Sequence, residues 1–171
     1  AGGGIISDFA GQAYDLYEFR ERLEEYIASA VEETAPNTAG LAGATLAARL
    51  LSLAGGIQNL ARMPGSRIQV LGAEKALFRH IKSHALPPKH GVIFQHPLIK
   101  TAPWWHRGKV ARSLASKIAI AARVDAFAGE SIGEKLKEGL LKRVEEIKRK
   151  YPTEPKKMRI IRYKPEKRRK R

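Results

Sequence analysis

Basic and histidine side chains are concentrated in one window of the sequence, where together they could bind phosphate groups. Between Arg62 and Arg123 there are twelve Lys or Arg residues and a single acid, Glu74, and all five histidines fall in the same window. A surface with charge of one sign attracts the phosphates of a nucleic acid. Because arginine can hold one phosphate through two parallel N–H bonds, the arginines are expected to matter more than the lysines.

The stretch LGAEKALFRHIK, from Leu71 to Lys82, must position part of this charge. Gly72 permits a turn, and the residues after it predict a helix that begins at about Ala73. Three apolar residues share one face of this helix and three cations share another: Leu77, Phe78 and Ile81, and Lys75, Arg79 and Lys82. The pattern predicts an apolar face that packs on the core and a cationic face that points outward.

The phosphate-binding candidates that follow from charge are Lys75, Arg79, Lys82, Lys109 and Arg112. Each could neutralise one phosphate and release its counterions. The alternative for these residues is a solvated basic face without a ligand. Arg123 is a further candidate, with two alternatives: it could pair with Asp125 or support the core.

Aromatic and imidazole rings in the same window could contact RNA bases. His90 lies beside Gly91 in a loop bounded by prolines, where it could stack on an unpaired base and hydrogen-bond to it. An exposed loop histidine without a ligand is the alternative. Trp104 and Trp105 could stack on bases as well, although packing at the core or its rim is the commoner role of such a pair.

Catalysis and metal binding find little support in the sequence. Glu74 is the sole carboxylate of the basic window, so neither a pair of catalytic carboxylates nor a Mg²⁺ cage is expected there. His80 and His84 have the spacing of a helical metal pair, but no cysteine and no suitably placed Glu completes it. We therefore expect a protein that is not an enzyme and that holds no metal or cofactor.

Composition bounds the class of protein. The chain has 171 residues, 43% of them hydrophobic, which is enough for one domain with a core, and no apolar run is long enough to span a bilayer. The formal charge is +15, yet residues 1–36 carry eight acids and two arginines, a net of −6, so the remainder carries +21. The split predicts a basic module attached to an acidic helix.

Hydrophobic periodicity predicts helices for most of the chain. Two short apolar pieces, 68–71 and 92–94, instead suggest extended segments that could pair, so the expected fold is all-α with room for one small β pairing. The last segment, 152–171, is a basic tail with ten Lys or Arg and two Glu. The predicted helices cover residues 8–34, 37–53, 57–62, 108–127 and 132–150, in addition to the one from Ala73.

The first predicted helix has an apolar stripe opposite a Glu-rich face, and Pro36 is expected to end it. Such a stripe needs a partner. One interpretation is that it packs on its own domain, and the other is that it forms part of a longer coiled coil. The stripe consists of Leu16, Phe19, Leu23, Tyr26 or Ile27, and Ala30 or Val31.

Three spaced motifs resemble the Nop domain, the RNA–protein binding module of box C/D ribonucleoprotein scaffolds. They are GAEKALFR at 72–79, GVIFQHP at 91–97, and RGKVAR at 107–112 followed by AARVD at 121–125. The resemblance covers roughly Thr38 to Tyr151 and is greatest to the archaeal scaffold. It implies an all-helical domain over 37–151, preceded at 1–36 by a glycine linker and a shortened coiled-coil helix.

The resemblance also implies a function and partners. A Nop domain is expected to recognise kink-turn guide RNA together with a ribosomal-type kink-turn protein, in support of 2′-O-methylation by fibrillarin. It implies that fibrillarin binds through an N-terminal domain not seen here and that homodimerisation through the coiled coil is impaired. The RNA contacts carried over by motif are Arg62, Gly65, His90, Arg107, Arg112 and Arg123, with Lys75 and Arg79 as neighbours on the same surface.

One alternative to this reading remains at the level of sequence. The acidic amphipathic helix could make the chain a structural protein–protein assembly module, with RNA contact incidental. Association with a membrane surface is not expected, because the basic tail lacks the aromatic or leucine face that such anchors use. The expected location is the cytoplasm of an archaeon, or the nucleolus if the source is eukaryotic.

Overall fold

Helix α8, Trp104–Phe127, lies at the centre of the core in the computed structural model, which describes residues 2–83 and 86–155. The apolar residues that recur along it at intervals of four are buried: Val110, Leu114 and Ile118 are at most 1% exposed. Four helices pack most extensively against it, namely α2 (Pro36–Ala42), α4 (Ile57–Arg62), α5 (Gly65–Val70) and α9 (Gly133–Lys150). The inward stripe of α9, predicted from its period of three and four, is buried as well.

The remaining elements are also helical. The prediction of an all-α fold is confirmed, since no strand occurs within residues 2–83 and 86–155. In the part of the chain that the structure describes, no helix has the length and apolar character needed to cross a bilayer. These elements are α1 (Gly2–Thr34), α3 (Ala44–Ala54), α6 (Glu74–Ser83), a 3₁₀ turn (Val92–Gln95) and α7 (Pro97–Lys100).

The two short apolar pieces are not strands, and this prediction was wrong. Residues 65–70 form α5, with Ile68 fully buried, and Val92 opens the 3₁₀ turn. A short apolar run cannot be told from a buried helical turn by its periodicity. The two pieces nevertheless meet, because the Gly91 amide donates to the Gln69 carbonyl at 2.8 Å and the Val92 amide donates to the Leu71 carbonyl at 2.9 Å.

The predicted second helix is divided in two. Gly43, with φ of 82°, separates α2 from α3. Helix α1 ends at Thr34, as predicted from Pro36. Pro36 itself occupies the first turn of α2, where its missing N–H has no partner to lose. Helix α1 also begins earlier than the predicted start at residue 8, since it already includes Gly2.

Helix α1 buries only its last turns. Val31 belongs to the core and Ile27 packs against it, whereas Leu16 is 69% exposed and Phe19 is 54% exposed. Within the described residues, most of the predicted apolar stripe is therefore uncovered by the chain itself. Packing of α1 on the rest of the chain therefore covers only the C-terminal end of the stripe, at Ile27 and Val31.

Helix α6 does not dock on the core, contrary to the prediction from its apolar face. None of its residues is buried, and Phe78 and Ile81 are 65% and 68% exposed. Its start is held locally, because the Gly72 amide donates to Glu74 Oε1 at 2.7 Å. The helical period specified which side chains share a face, but it could not specify that a partner lies opposite them.

The last turn of α8 is joined to α2 by a network around Asp125. Each carboxylate oxygen accepts two hydrogen bonds of 2.7–3.0 Å, Oδ1 from the backbone and side-chain N–H groups of Asn37, and Oδ2 from the amide and hydroxyl of Thr38. Asn37 Oδ1 accepts in turn from the amides of Ile132 and Gly133 at the start of α9. This network connects α2, α8 and α9.

Candidate nucleic-acid interface

The segment from Gly72 to Gly91 leaves the helical body and returns to it at one point. The two backbone hydrogen bonds described above close its base, and Gln69 Nε2 adds a third by donating to the Lys89 carbonyl at 2.7 Å. Gly72 has φ of 80° there, and a Cβ at Gly91 would lie only 1.9 Å from the Leu71 oxygen. The turn predicted at Gly72 is confirmed, and Gly91 is required by the close approach of the backbone.

His90 is oriented at this base by ring stacking. Its imidazole lies on the Phe94 ring with centroids 4.6 Å apart and planes at 14°. Burial lowers the pKa of His90 below 6.5, and the positive charges of Arg107 and Lys89 lower it further. This shift favours the neutral ring, in which one nitrogen can donate and one can accept.

Arg107 contacts the same aromatic ring. Its guanidinium lies 5.5 Å from the centroid of Phe94, and its Nε donates to the Ala102 carbonyl at 3.0 Å. Packing on one ring brings His90 and Arg107 together although they are seventeen positions apart in the chain. Both side chains have their orientations set by contacts within the protein.

The cations of α8 lie on two sides of the helix. At about 100° per residue, Lys109, Arg112 and Arg123 share one face, while Arg107 is turned about 140° away from Arg112. The loop that leads back to Gly91 passes α8 at Gly108, between these two sides. A Cβ added at Gly108 would lie 3.9 Å from the Cβ of Lys89.

A hollow of about 550 Å³ lies where the loop meets α8. Lys89 Nζ is 5.3 Å from the Trp104 ring, and Trp104 is 44% exposed. Cations interleaved with an accessible aromatic face suit a nucleic-acid strand, because the cations take phosphates and the ring stacks on a base. The lining residues are Gln69, Pro87, Pro88, Lys89, Trp104, Trp105, Gly108, Lys109 and Arg112.

The far end of the α8 face meets α4 and α5. Gly65 lies against Ser116, since an added Cβ would be 3.1 Å from the Ser116 Cα. Arg123 Nε donates to the Ala61 carbonyl at 3.2 Å, beside the exposed Arg62. The alternative in which Arg123 pairs with Asp125 was wrong, because Asn37 and Thr38 take that carboxylate; the alternative of supporting the core fits the contact with Ala61.

The sequence-predicted residues thus fall into three groups. The first surrounds Gly108, the second lies where α8 meets α4 and α5, and the third is carried by α6, whose cations are exposed. The candidate metal pair is not testable, because His84 lies outside the described residues, and within them no group of metal-ligating side chains is found. The groups are His90, Arg107, Lys109 and Arg112; Arg62, Gly65 and Arg123; and Lys75, Arg79 and Lys82.

Sequence reasoning missed the role of His96. Its Nδ1 accepts from the Leu98 amide at 3.2 Å and so caps α7, and its Nε2 lies 3.3 Å from the Leu41 carbonyl, to which it donates. Burial lowers the pKa of His96 below 6.5, although the hydrogen bond to Leu41 acts in the opposite direction. The signal was present in the sequence as a polar residue directly before Pro97, which is a pattern of helix starts.

The titration of His96 should make stability depend on pH. Because its pKa is lowered in the folded state, the unfolded chain binds the proton more readily, so its contribution is complete above pH 6.5 and is lost as the pH falls below that value. His96→Asn should keep the cap and reduce the loss of unfolding free energy between pH 7.5 and 5. Urea unfolding at several pH values measures this, and a pH dependence equal to that of the wild type would exclude His96 as its source.

The fold and the site define a class: an all-helical module with a basic surface in which aromatic rings alternate with cations, which is typical of nucleic-acid binding. Comparison with known proteins is more specific. The Nop family model, described as "snoRNA binding domain, fibrillarin", matches residues 4–146. The chain belongs to the Nop family.

Relatives from archaea and eukaryotes agree with this assignment. An uncharacterised NOP5 family protein of Methanocaldococcus jannaschii is 55% identical over 148 residues, which are 86% of this chain and 36% of that protein. Human nucleolar protein 56 is 39% identical over 142 residues, which are 81% of this chain and 24% of the relative. The chain thus spans about a third or less of the length of these relatives.

A solved structure has the same fold. A chain in the crystal structure of a fibrillarin/Nop5p complex superposes with a TM-score of 0.70 at 41% identity, and the match covers 86% of this chain and 56% of that one. The family match also includes α1, which the resemblance seen in the sequence left outside the domain.

Proposed function

We propose that this chain is a non-catalytic scaffold module that binds kink-turn guide RNA already held by a ribosomal-type kink-turn protein. In this role it places guide RNA for 2′-O-methylation by fibrillarin. The observation that carries the proposal is the hollow in which Lys89, Lys109 and Arg112 lie beside Trp104, in a chain of the Nop family. Directly after Lys89, His90 is held on the Phe94 ring together with Arg107. This arrangement offers phosphate ligands beside a neutral imidazole that can read an unpaired base.

The remaining predicted contacts extend the same proposal. Gly65 allows α5 to approach α8 closely. The cations of α6 are exposed on the 72–91 segment, whose base is closed by hydrogen bonds. We assign fibrillarin binding to a part of the longer family proteins outside the matched segment. The proposed RNA contacts are Arg62, Gly65, Lys75, Arg79, Lys82, His90, Arg107, Lys109, Arg112 and Arg123.

An electrophoretic shift assay tests the proposal directly. Kink-turn RNA, with and without the kink-turn protein, is compared with a plain duplex of equal length. We expect the chain to bind best to the RNA–protein complex, because part of the recognised surface belongs to the bound protein. Equal affinity for the plain duplex, with no gain from the partner protein, contradicts the proposal.

Arg112→Ala should weaken ternary binding by about 1–3 kcal/mol and reduce the slope of log affinity against log salt by about one. The reason is the loss of one phosphate contact from an exposed side chain that the fold does not require. Lys117→Ala is the matched control, since Lys117 lies on the same helix but beside Gly139 of α9. Isothermal titration at several salt concentrations measures both, and an unchanged slope in Arg112→Ala removes this residue from the interface.

A second function, protein–protein assembly through α1, is favoured by one observation. The apolar stripe around Leu16 and Phe19 is exposed opposite an acidic face. Sedimentation of the chain without RNA discriminates between the two functions, because a stable homodimer that binds kink-turn RNA no better than duplex supports assembly as the main role.

For location we keep the proposal of archaeal cytoplasm, or the nucleolus if the source is eukaryotic. The names of the eukaryotic relatives also contain the word nucleolar.

A further inference from the structure

The end of α9 is fixed against the start of α8. The Tyr151 carbonyl accepts hydrogen bonds from His106 Nε2 at 2.7 Å and from Trp105 Nε1 at 3.3 Å. Lys109 Nζ lies over the Tyr151 ring, 4.1 Å from its centroid. These contacts hold the last turn of α9 beside Lys109, so side chains of the two helices share one surface.

A groove of about 600 Å³ lies between these helix ends. Five of its lining side chains are cations, and the one carboxylate, Glu146, is paired with Arg143 at 2.6 Å. The groove therefore presents a net positive charge to any ligand. Its lining residues are Lys109, Arg112, Ser113, Arg143, Glu146, Ile147, Arg149, Lys150 and Tyr151.

The charge along α9 is arranged unevenly. In the part of the chain that the structure describes, the ion pairs of α9 all involve residues from Glu134 to Glu146, and its last turn carries Lys148, Arg149 and Lys150. Cations at a helix C-terminus complement the helix dipole, which accounts for part of this pattern. The dipole does not account for Lys109 and Arg112, which reach the same groove from a different helix.

We propose that this groove binds the phosphate backbone of a duplex RNA stem. The inference rests on the proposed function and deepens it, because Lys109 and Arg112 line both this groove and the hollow beside Trp104. One RNA that occupies the hollow can therefore continue along the groove to Arg149 and Lys150. This surface adds a second, sequence-independent length of stem to the contact made at the kink-turn.

Removing the charge at the end of α9 tests the inference. In Arg149→Gln/Lys150→Gln both changes are on exposed side chains, and glutamine keeps the helix propensity. With the full chain, each stem of the kink-turn RNA is lengthened in turn by about ten base pairs, and affinity is measured with the kink-turn protein bound. We expect the affinity of the variant to fall about tenfold for the RNA with one of the two stems lengthened, and its slope of log affinity against log salt to be smaller by about two. Its affinity for the short RNA should change little.

A charge-matched control is Lys135→Gln/Lys137→Gln, two exposed lysines near the start of α9 and outside the groove. If both variants lose the same affinity for every RNA, the groove makes no specific contact and the inference is overturned. The ratio of the affinities of the two variants for one RNA tests the groove. The ratio of the wild-type affinities for kink-turn RNA and plain duplex tests the proposed function. Either can therefore fail while the other holds.

Discussion

Replacing Gly91 by alanine is expected to lower the free energy of unfolding by about 3 kcal/mol, and to lower Tm by about 10 °C. The new Cβ would lie 1.9 Å from the Leu71 oxygen and 2.7 Å from the Val70 carbonyl carbon, both of which are backbone atoms. The loop can relieve this contact only by moving away from α5. That movement breaks the hydrogen bonds which close the base of the 72–91 segment.

The same change should weaken RNA binding, because His90 directly precedes the displaced residue. Thermal unfolding and the kink-turn shift assay, run below the lowered Tm, separate the effect on folding from that on binding. Gly40→Ala is the matched control: Gly40 lies within α2, and an added Cβ would meet nothing within 4 Å. We expect it to change stability by less than about 1 kcal/mol, in the stabilising direction. Equal stability of the two variants would show that the close approach at Gly91 is not tight in solution.

Asp125→Asn is expected to destabilise the protein by about 3 kcal/mol. In either orientation of the new amide, its NH₂ group replaces one acceptor oxygen and faces two donors, those of Asn37 or those of Thr38. Hydrogen bonds to a carboxylate are stronger than neutral ones, so two are lost and their donors remain without an acceptor. Urea unfolding measures the loss.

The network makes a second, local expectation. Since Asn37 also accepts from the amides of Ile132 and Gly133, its disturbance should speed hydrogen exchange at the start of α9. Glu130→Gln removes an acid nearby while keeping the backbone carbonyl that accepts from Asn37 Nδ2. If Asp125→Asn costs no more than this control, the carboxylate does not hold the three helices together.

Much of the helical framework could be predicted because it depends on local periodicity. In α8 and α9 the inward residues recur every three or four positions, and these positions are buried. The period failed for short segments: Ile68 and Leu71 fit a strand edge and a helical turn equally well. It also failed for α6, where Phe78 and Ile81 form an apolar face that the described structure leaves exposed.

The candidate site was predicted in its residue types but not in its grouping. The cations and His90 were found from charge and motif, whereas their division by Gly108 depends on how the returning loop passes α8. Tyr151 gave no signal, because its carbonyl is bound by side chains 45 and 46 positions away in the chain. One alternative for Arg123 was a pair with its neighbour Asp125, yet the donors to Asp125 come from residues 87 and 88 positions earlier.

The order of charges and apolar residues along the chain was thus sufficient to predict a largely helical, strongly basic protein, and three short motifs marked its resemblance to the Nop family. Each of those properties is set by side chains within a few residues of one another. Which cations share a surface, and which apolar face finds a partner, depends on contacts between helices far apart in sequence. Those contacts form only when burial of the α8 core brings α2, α4, α5 and α9 together, and no local pattern encodes them.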